Sequence, residues 1–575
     1  MGHAAVTSFY PGRHACQGWG IQPPMSRPSV IPAGEMVQEE AVNASEPTPG
    51  GGGGEDASAA SNLRGEDAMP NTRREFLHAA AALLLVAPGG LPAQFSAGDA
   101  EELRLAADPM RPEFHLLPAR NWMNDPNGPI YFKGHYHMFF QYNPLAAVWG
   151  DMSWGHAISK DMLHWRHLPV ALTPTPDGAD SFGCFSGSAI AVGERVYAVY
   201  TGTKKSGEEM ATIRDGSNDI QESQCLAWSD DPRLIRWEKD PQPIVARPPA
   251  GMRITGFRDP SVWRQGDWYY MTVGSGVENV GGCVLLYRSP VDAQGGALKS
   301  WEYLHELTGD AWNGRKTSNP CDDGEMWECP ELFPLDGGHL LIYSTLGKVF
   351  WESGLLDEAT MKFNPMHKGE LDWGGFYAPK TQRDLQGRRI LWGWIQEQNR
   401  SQAQMLSAGW SGMMSLPRVL SLDAEGKLEM RTLPEISSLR HGGLRVDSDP
   451  GSKAAVLPKA NGEVLAAGDK GHDFQLRVSV GADELMSIHY IAASHTLQAG
   501  DREIALSAED QPGVHLYVDG SVVEAILGER VGYTKRFYYA GAAPEIAVRI
   551  LGKGELDLQA WKIEPISKNR LTSKA

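Results

Sequence analysis

Three acidic residues share an unusual local setting. Asp125 lies in Trp122-Met-Asn-Asp-Pro-Asn-Gly128, Asp259 in Phe257-Arg-Asp-Pro260, and Glu328 in Trp327-Glu-Cys-Pro330. Two carboxyl groups facing an acetal carbon can break it: one attacks or activates water, and the other, protonated, assists the leaving oxygen. A third carboxylate that holds ring hydroxyls stabilises the positive charge developing at the reacting carbon, and Asp259 suits that role. Crowding raises the pKa of at least one acid, and the apolar neighbours Trp327 and Cys329 are expected to help keep Glu328 protonated. Taken singly, each has a plainer reading. Asp-Pro pairs commonly start turns, Glu328 alone fits a paired edge charge, and Arg258 beside Asp259 fits a surface ion pair contributing ~0–1 kcal/mol.

What favours a joint role is where the three fall in a repeat. Between residues 114 and 434 a glycine turn opens an alternating, aromatic-rich strand five times: Lys133 to Phe140, Gly193 to Tyr200, Gln265 to Thr272, Gly337 to Ser344 and Gln386 to Gly393. The turn glycines Gly134, Gly193, Gly266, Gly338 and Gly387 are about 50 to 75 residues apart, an interval that fits a four-stranded sheet with its loops. Each sheet alone leaves a bare apolar face, so five of them are expected to pack radially as a five-bladed β-propeller over residues 112–434. A set of hairpins in a β-sandwich is the alternative. About seven to ten residues before each turn glycine the chain should run along the innermost strand, facing the central channel. Those positions hold Asp125, the Cys184-Phe-Ser-Gly-Ser188 phrase, Asp259, Glu328, and Asp372-Trp-Gly-Gly-Phe-Tyr377. Acids from three blades thereby converge on one funnel.

Composition narrows the partner. The chain has 575 residues and a formal net charge of -18, which disfavours a nucleic-acid backbone or an anionic membrane and leaves a neutral substrate unaffected. Its 18 Trp and 17 Tyr supply flat surface of the kind sugars stack on. Six cysteines without C-x-x-C spacing indicate neither a zinc site nor a dense disulfide framework, and leave one isolated bridge open. No phosphate loop, metal-ligand spacing or dinucleotide fingerprint stands out, so no cofactor and no metal are expected.

At the N-terminus, residues 1–68 are rich in Gly, Ala, Ser, Pro and acids, and read as a disordered extension. Residues 69–97 read as an export signal of twin-arginine type: Arg73-Arg74-Glu-Phe-Leu77, then an apolar run from Ala79 to Ala87 too short to span a bilayer. A buried helix is the alternative there. An exported, periplasmic or extracellular protein is expected. After Leu433-Pro-Glu435, alternating segments such as Val514 to Glu524 predict a second unit of antiparallel strands over residues 440–566.

The motifs around the three acids, backed by Phe185-Ser-Gly-Ser188, Phe376-Tyr-Ala-Pro379 and Gln141-Tyr-Asn-Pro144, resemble those of the β-fructofuranosidase family of invertases, inulinases and levanases, glycoside hydrolase family 32. The resemblance runs over roughly residues 112–566. It implies an all-β fold, a five-bladed β-propeller followed by a C-terminal β-sandwich. It also implies a retaining hydrolase with Asp125 as nucleophile, Asp259 as transition-state stabiliser and Glu328 as acid/base, releasing fructose from sucrose, inulin or levan through a covalent fructosyl-enzyme. Carried over residue by residue, it suggests that Asn124, Gln141, Trp149, Phe185, Ser186 and Arg258, with Tyr377 from the fifth blade, bind the terminal fructose. Polar members suit its hydroxyls, and Trp149 and Phe185 an apolar wall. His156 reads as a packing residue. One departure falls in the second unit, where an Asp-Arg-Ser phrase usual in the family is Asp519-Gly-Ser521. Rival readings are a fructosyltransferase using the same intermediate, an arabinan- or xylan-cleaving relative, disfavoured by the long first motif, and a silent fructan-binding homologue, disfavoured by retention of all three acids. Translation is expected to start at Met69, which N-terminal sequencing of the intact precursor checks; a peptide from residues 1–68 is the contrary result.

Overall fold

The computed structural model describes residues 97–291 and 298–570, so the expected extension and, apart from residue 97, the export signal lie outside the described residues. Strands dominate. Four sheets stand as separate units. The first holds β1 (Asn121–Phe132), β2 (His135–Asn143), β3 (Ser153–Ser159) and β4 (Arg166–Leu172). The second holds β5 (Gly183–Val192), β6 (Arg195–Lys205), β7 (Ile220–Ser229) and β8 (Glu238–Lys239). The third holds β9 (Ile254–Gln265), β10 (Trp268–Val277), β11 (Gly281–Pro290) and β12 (Glu302–Gly309). A further set, β13 (Glu328–Leu335), β14 (Gly338–Thr345), β15 (Lys348–Asp357) and β16 (Lys362–Asp372), does not stand alone, as described below. The last separate sheet is built on β17 (Phe376–Arg383) and β18 (Arg389–Ile395) with the strands Arg418–Leu422 and Leu428–Thr432. The short strand Trp410–Ser411 lies parallel to β1 and so returns the chain to the first sheet.

The opening strands of these sets contact one another in a closed circuit, β1 to β5 to β9 to β13 to β17 and back to β1. This is a propeller-like arrangement of blades. Each opening strand joins its neighbour through a tight turn at the expected glycine: Gly134, Gly193, Gly266 and Gly387 all take positive φ, which a residue without a Cβ adopts at little cost. At the remaining turn the expectation was off by one. There Gly337 takes φ +85° and Gly338 already begins β14.

Every opening strand is interrupted at the same place. Two residues face one on the partner strand, so that Asn124 and Asp125 lie against Gln141, Phe185 and Ser186 against Thr201, and Asp259 and Pro260 against Val273. Likewise Cys329 and Pro330 lie against Tyr343, and Ala378 and Pro379 against Gly393. These are β-bulges, which leave a residue outside the ladder and bend the strand. They also fit the prolines of the motifs: Pro126 directly after a bulge and Pro260, Pro330 and Pro379 within one lack an N–H, which is tolerated at bulges and on the edge strands of a sheet. Gly128 closes the first motif because its φ is +48° and a Cβ there would lie 2.5 Å from the Ala189 nitrogen of β5.

The C-terminal strands form two sheets. The edge strand β16 pairs in parallel with Val531–Arg536 at Asp372–Gly532, so β13–β16 run on into a ten-stranded sheet with Val522–Leu527, Gly513–Asp519, Asn461–Gly468, Leu556–Ile563 and Arg440–Gly443. A seven-stranded sheet includes Phe474–Val480, Asp483–Ile491 and Ile546–Gly552. Buried side chains of both sheets, among them Val464, Leu516 and Val523 with Leu476, Ile488 and Val548, share one core.

A buried chain of charges ties this region to the blades. The Arg418 guanidinium pairs with Asp372 at 2.9 Å and Glu524 at 2.6 Å, and Glu524 in turn bonds His115 at 2.9 Å. The His115 ring also meets Asp519 at 2.7 Å, while the Asp519 carboxylate accepts the backbone N–H groups of Glu113 and Phe114. The departure from the family phrase has a steric reason here: Gly520 has φ +59°, and a Cβ would lie 2.9 Å from the Met110 carbonyl oxygen. Burial alone would lower the His115 pKa, but hydrogen bonds to Asp519 and Glu524 outweigh it and raise the imidazole to about 9. Its contribution to stability is therefore complete below pH about 6.5 and lost as pH rises through about 9. Arg418→Met should cost about 3–5 kcal/mol, because it leaves Asp372 and Glu524 buried without their cation. Urea unfolding checks this; a midpoint unchanged from wild type is the contrary result.

Candidate active site

The bulges bring the three acids to one end of the channel. At the first bulge the Asp125 carboxylate accepts a hydrogen bond from Asn124 Nδ2 at 3.0 Å on one oxygen and from Ser186 Oγ at 2.6 Å on the other. Ser186 occupies the second bulge, so one donor comes from each of two neighbouring sheets. Asn124 is itself aimed by Trp122, whose indole N–H donates to its side-chain oxygen at 2.7 Å.

Asp259 occupies the third bulge with φ +65°, its backbone N–H donating to Thr201 Oγ1 at 2.9 Å. Its Oδ2 accepts the backbone N–H of Cys329 at 2.9 Å, which couples the third opening strand to the next. The Cys329 thiol lies between two acids, 3.4 Å from Asp259 Oδ2 and 3.8 Å from Asp125 Oδ2. Glu328 precedes it. One oxygen of Glu328 accepts from Arg258 at 2.9 Å, and the other from the Tyr377 hydroxyl at 2.7 Å.

Burial sets the electrostatics. It raises the Asp125 pKa above the ordinary carboxylate value, with the negative charge of Glu328 adding to it and the bonds from Ser186 and Asn124 opposing it. For Asp259, burial and then the Glu328 charge push the pKa up to about 7 against the pull of Arg258. The sequence-based setting for Glu328 needs correction. Its apolar neighbour Trp327 turns away and stacks on Tyr343 at 3.8 Å between ring centroids, so both carboxyl oxygens meet polar donors instead. Adjacent residues on a strand face opposite ways, and for this reason sequence neighbours need not be spatial ones.

Of the residues expected to bind a sugar, Phe185 and Trp149 meet edge-to-face at 5.9 Å and form an apolar wall with Met152 and Trp122 nearby. Gln141 is placed beneath the site, 2% exposed, with its amide donating to the Cys184 carbonyl at 2.9 Å. Arg258 is no surface ion pair: at 8% exposure its guanidinium bridges Glu328 and Glu222, the latter at 2.9 Å. Glu222 was missed. Fully buried on β7, it also accepts the Phe257 N–H at 2.6 Å and the Thr212 hydroxyl at 2.9 Å, and so positions the whole Arg258-Asp259 segment. The signal was the run Gln221-Glu-Ser-Gln224, four polar residues in a strand where alternation would put every second one among apolar neighbours.

His156 is a packing residue: buried on β3, it stacks on Phe139 at 4.3 Å and bonds His137 at 2.9 Å, and its recorded contacts do not include the three acids. The open disulfide question also closes for part of the chain. Cys184, Cys225, Cys283, Cys321 and Cys329 are all free and buried, and Cys16 lies outside the described residues. Among the described residues no group of three or more His, Cys, Asp or Glu is arranged to hold a metal ion, and no helix is long and apolar enough to cross a membrane.

Comparison with known proteins bears on the family and the fold. The profile of the glycosyl hydrolases family 32 N-terminal domain matches residues 115–432. A sucrose-6-phosphate hydrolase of Bacillus subtilis (strain 168) is 33% identical over 482 residues, covering 80% of this chain and 95% of that protein. A raffinose invertase of Escherichia coli is 39% identical over 345 residues, 57% of this chain and 66% of that protein. Among solved structures, a family 32 beta-fructofuranosidase of Bombyx mori superimposes with a TM-score of 0.68 at 27% identity, covering 81% of this chain and 97% of that one. Fructan 1-exohydrolase IIa from Cichorium intybus, in complex with 1-kestose, gives a TM-score of 0.62 at 25% identity over 80% of this chain and 98% of that one.

The raised Asp259 pKa carries a stability cost with a definite sign. A carboxyl that binds its proton more tightly when folded destabilises the fold as pH rises from about 4 to about 7. Asp259→Asn keeps an acceptor for the Cys329 N–H and removes the charge. The variant should be more stable than wild type at pH 8, by on the order of 2–4 kcal/mol, and equal to it at pH 4. Thermal unfolding at both pH values measures this, and a variant less stable at pH 8 would contradict the assignment.

Proposed function

The chain belongs to glycosyl hydrolase family 32, and from that premise we propose that it is a retaining β-fructofuranosidase releasing fructose from sucrose, inulin or levan type substrates. The observation that carries this reading is the thiol of Cys329 lying against both Asp125 and Asp259, while the adjoining Glu328 is clamped by Arg258 and Tyr377. One short segment thereby links the three carboxyls, which supports their acting together on one substrate.

In the proposed first step an Asp125 oxygen bonds to the anomeric carbon as the bond to the leaving oxygen breaks, and that oxygen takes the proton of Glu328. In the second step water bonds to the same carbon, gives a proton to Glu328 and frees the Asp125 carboxylate. Asn124 and Ser186 orient the nucleophile, and Arg258 and Tyr377 fix both oxygens of the acid/base. Asp259 accepts hydrogen bonds from ring hydroxyls, which tighten as positive charge develops on the sugar. Phe185 and Trp149 offer the apolar wall, with Gln141 supporting the floor of the site through Cys184.

On the same reading β13–β16 are a fifth blade whose outer edge is extended by C-terminal strands, residues 112–434 are the catalytic unit, and the two C-terminal sheets over 440–566 are a β-sandwich. The closed circuit of opening strands and the shared core of the two sheets support this. Export rests on the sequence of residues 69–97.

Incubation with sucrose, sucrose 6-phosphate, inulin and levan should release fructose or its glycosides from at least one of them; no release from any sinks the proposal. Proton NMR of early product should show the β anomer, and an initial α anomer would rule out double displacement. Asp125→Asn and Glu328→Gln should each lower kcat by about 10²–10⁴-fold or more with the fold intact by circular dichroism.

A further inference from the structure

The opening strands place chemistry at both ends of their channel. From each bulge the strand continues two to six residues further and reaches a second cavity of about 300 Å³, lined by Gly128 to Tyr131 of β1, Ser188 to Ala191 of β5, Ser261 and Val262 of β9, Glu331 of β13 and Lys380 to Arg383 of β17, with Arg389 of β18. None of the residues of the candidate active site lines it. At ~3.3 Å per residue its nearest wall is about 7 Å along the strands from the bulges.

This cavity holds cations that no carboxylate contacts directly, although Asp259 acts on Lys380 and Glu331 on Arg389 from further off. Lys380 is 1% exposed, and its ammonium has a single hydrogen-bond partner, the Pro330 carbonyl oxygen at 3.5 Å. Arg389 lends one nitrogen to Thr381 Oγ1 at 3.2 Å, while its buried Nε has no partner. Among the described residues, neither cation has a carboxylate within 4.0 Å. Glu331 does not serve them, because its two oxygens accept the Thr381 hydroxyl at 2.7 Å and the Thr381 N–H at 2.8 Å. Ser188 accepts the Val262 N–H at 3.1 Å and keeps its hydroxyl hydrogen to give. Arg383, exposed, also lines the cavity.

A buried ammonium and a half-buried guanidinium whose Nε is sealed from solvent are costly beside a cavity unless a negative group completes them. Their local excess is opposite in sign to the -18 of the whole chain, so it is not a by-product of composition. Burial holds Arg389 down at about 10 although Glu331 opposes it, which marks a guanidinium short of a close anion. We propose that this distal end of the channel is a binding site for a small tetrahedral oxyanion of the phosphate or sulfate type, held by Lys380, Arg389 and Ser188 behind the catalytic end. The planar fork of Arg389 suits two oxygens of such an anion, and the compact ammonium of Lys380 a third.

Calorimetric titration of the full chain with inorganic phosphate, at ionic strength fixed with sodium chloride, tests this. Saturable binding of one equivalent is expected, weakened about tenfold or more in Arg389→Gln, largely retained in Arg389→Lys, and unchanged in Glu328→Gln at the other end. Absence of saturable binding, equal binding by chloride, or full affinity in Arg389→Gln would overturn it. A selenate soak of wild-type crystals gives a readout independent of folding of the variants: anomalous density between Lys380 and Arg389 is expected, and density confined to other places refutes the site.

Discussion

A strand paired to a neighbour normally keeps its ladder unbroken, and the opening strands of this protein, at the inner edges of their sheets, each break that rule at one point. The bulge lifts a pair of residues out of register, so that a side chain that would otherwise point between sheets is redirected into the channel. Everything at the site depends on this. Asp125, Ser186 and Asp259 are bulge residues, and Glu328 and Tyr377 immediately precede bulges, so five separate segments deliver their side chains at one level. The released backbone groups are put to use as well: the N–H of Cys329, freed at its own bulge, donates to Asp259.

Bringing acids this close is electrostatically unfavourable, and the structure offsets it unevenly. Asp125 keeps two hydrogen-bond donors, Glu328 keeps a guanidinium and a phenol, and Asp259 is left with one N–H and a thiol. Burial, with the Glu328 charge adding to it, raises the proton affinity of Asp259 to about 7. Arg258 stands at the centre of this balance. Held from behind by Glu222, it cannot swing away from Glu328, which makes a residue of another sheet part of the positioning of Glu328. The C-terminal sheets play a comparable part at longer range, since Arg418 bonds both Asp372 of β16 and Glu524 of a C-terminal strand, while His115, ahead of β1, bonds Asp519 and Glu524 of two C-terminal strands.

The amino-acid sequence by itself determined the recurring strand-turn phrase and the all-β class, and it singled out the three acids as candidates, because each is a local pattern: a glycine where a turn needs positive φ, alternation where a strand has two faces, a proline where a ladder must break. Even so it misplaced one turn glycine by a residue and gave Glu328 an apolar setting that adjacency on a strand does not supply. Only tertiary structure decided what lies across the channel and between the sheets. Glu222 behind Arg258, Tyr377 against Glu328, the Cys329 thiol between two aspartates and the run of β16 into the C-terminal sheet all join residues remote in the chain. Such contacts depend on how sheets close into a circuit, and no local pattern encodes that closure.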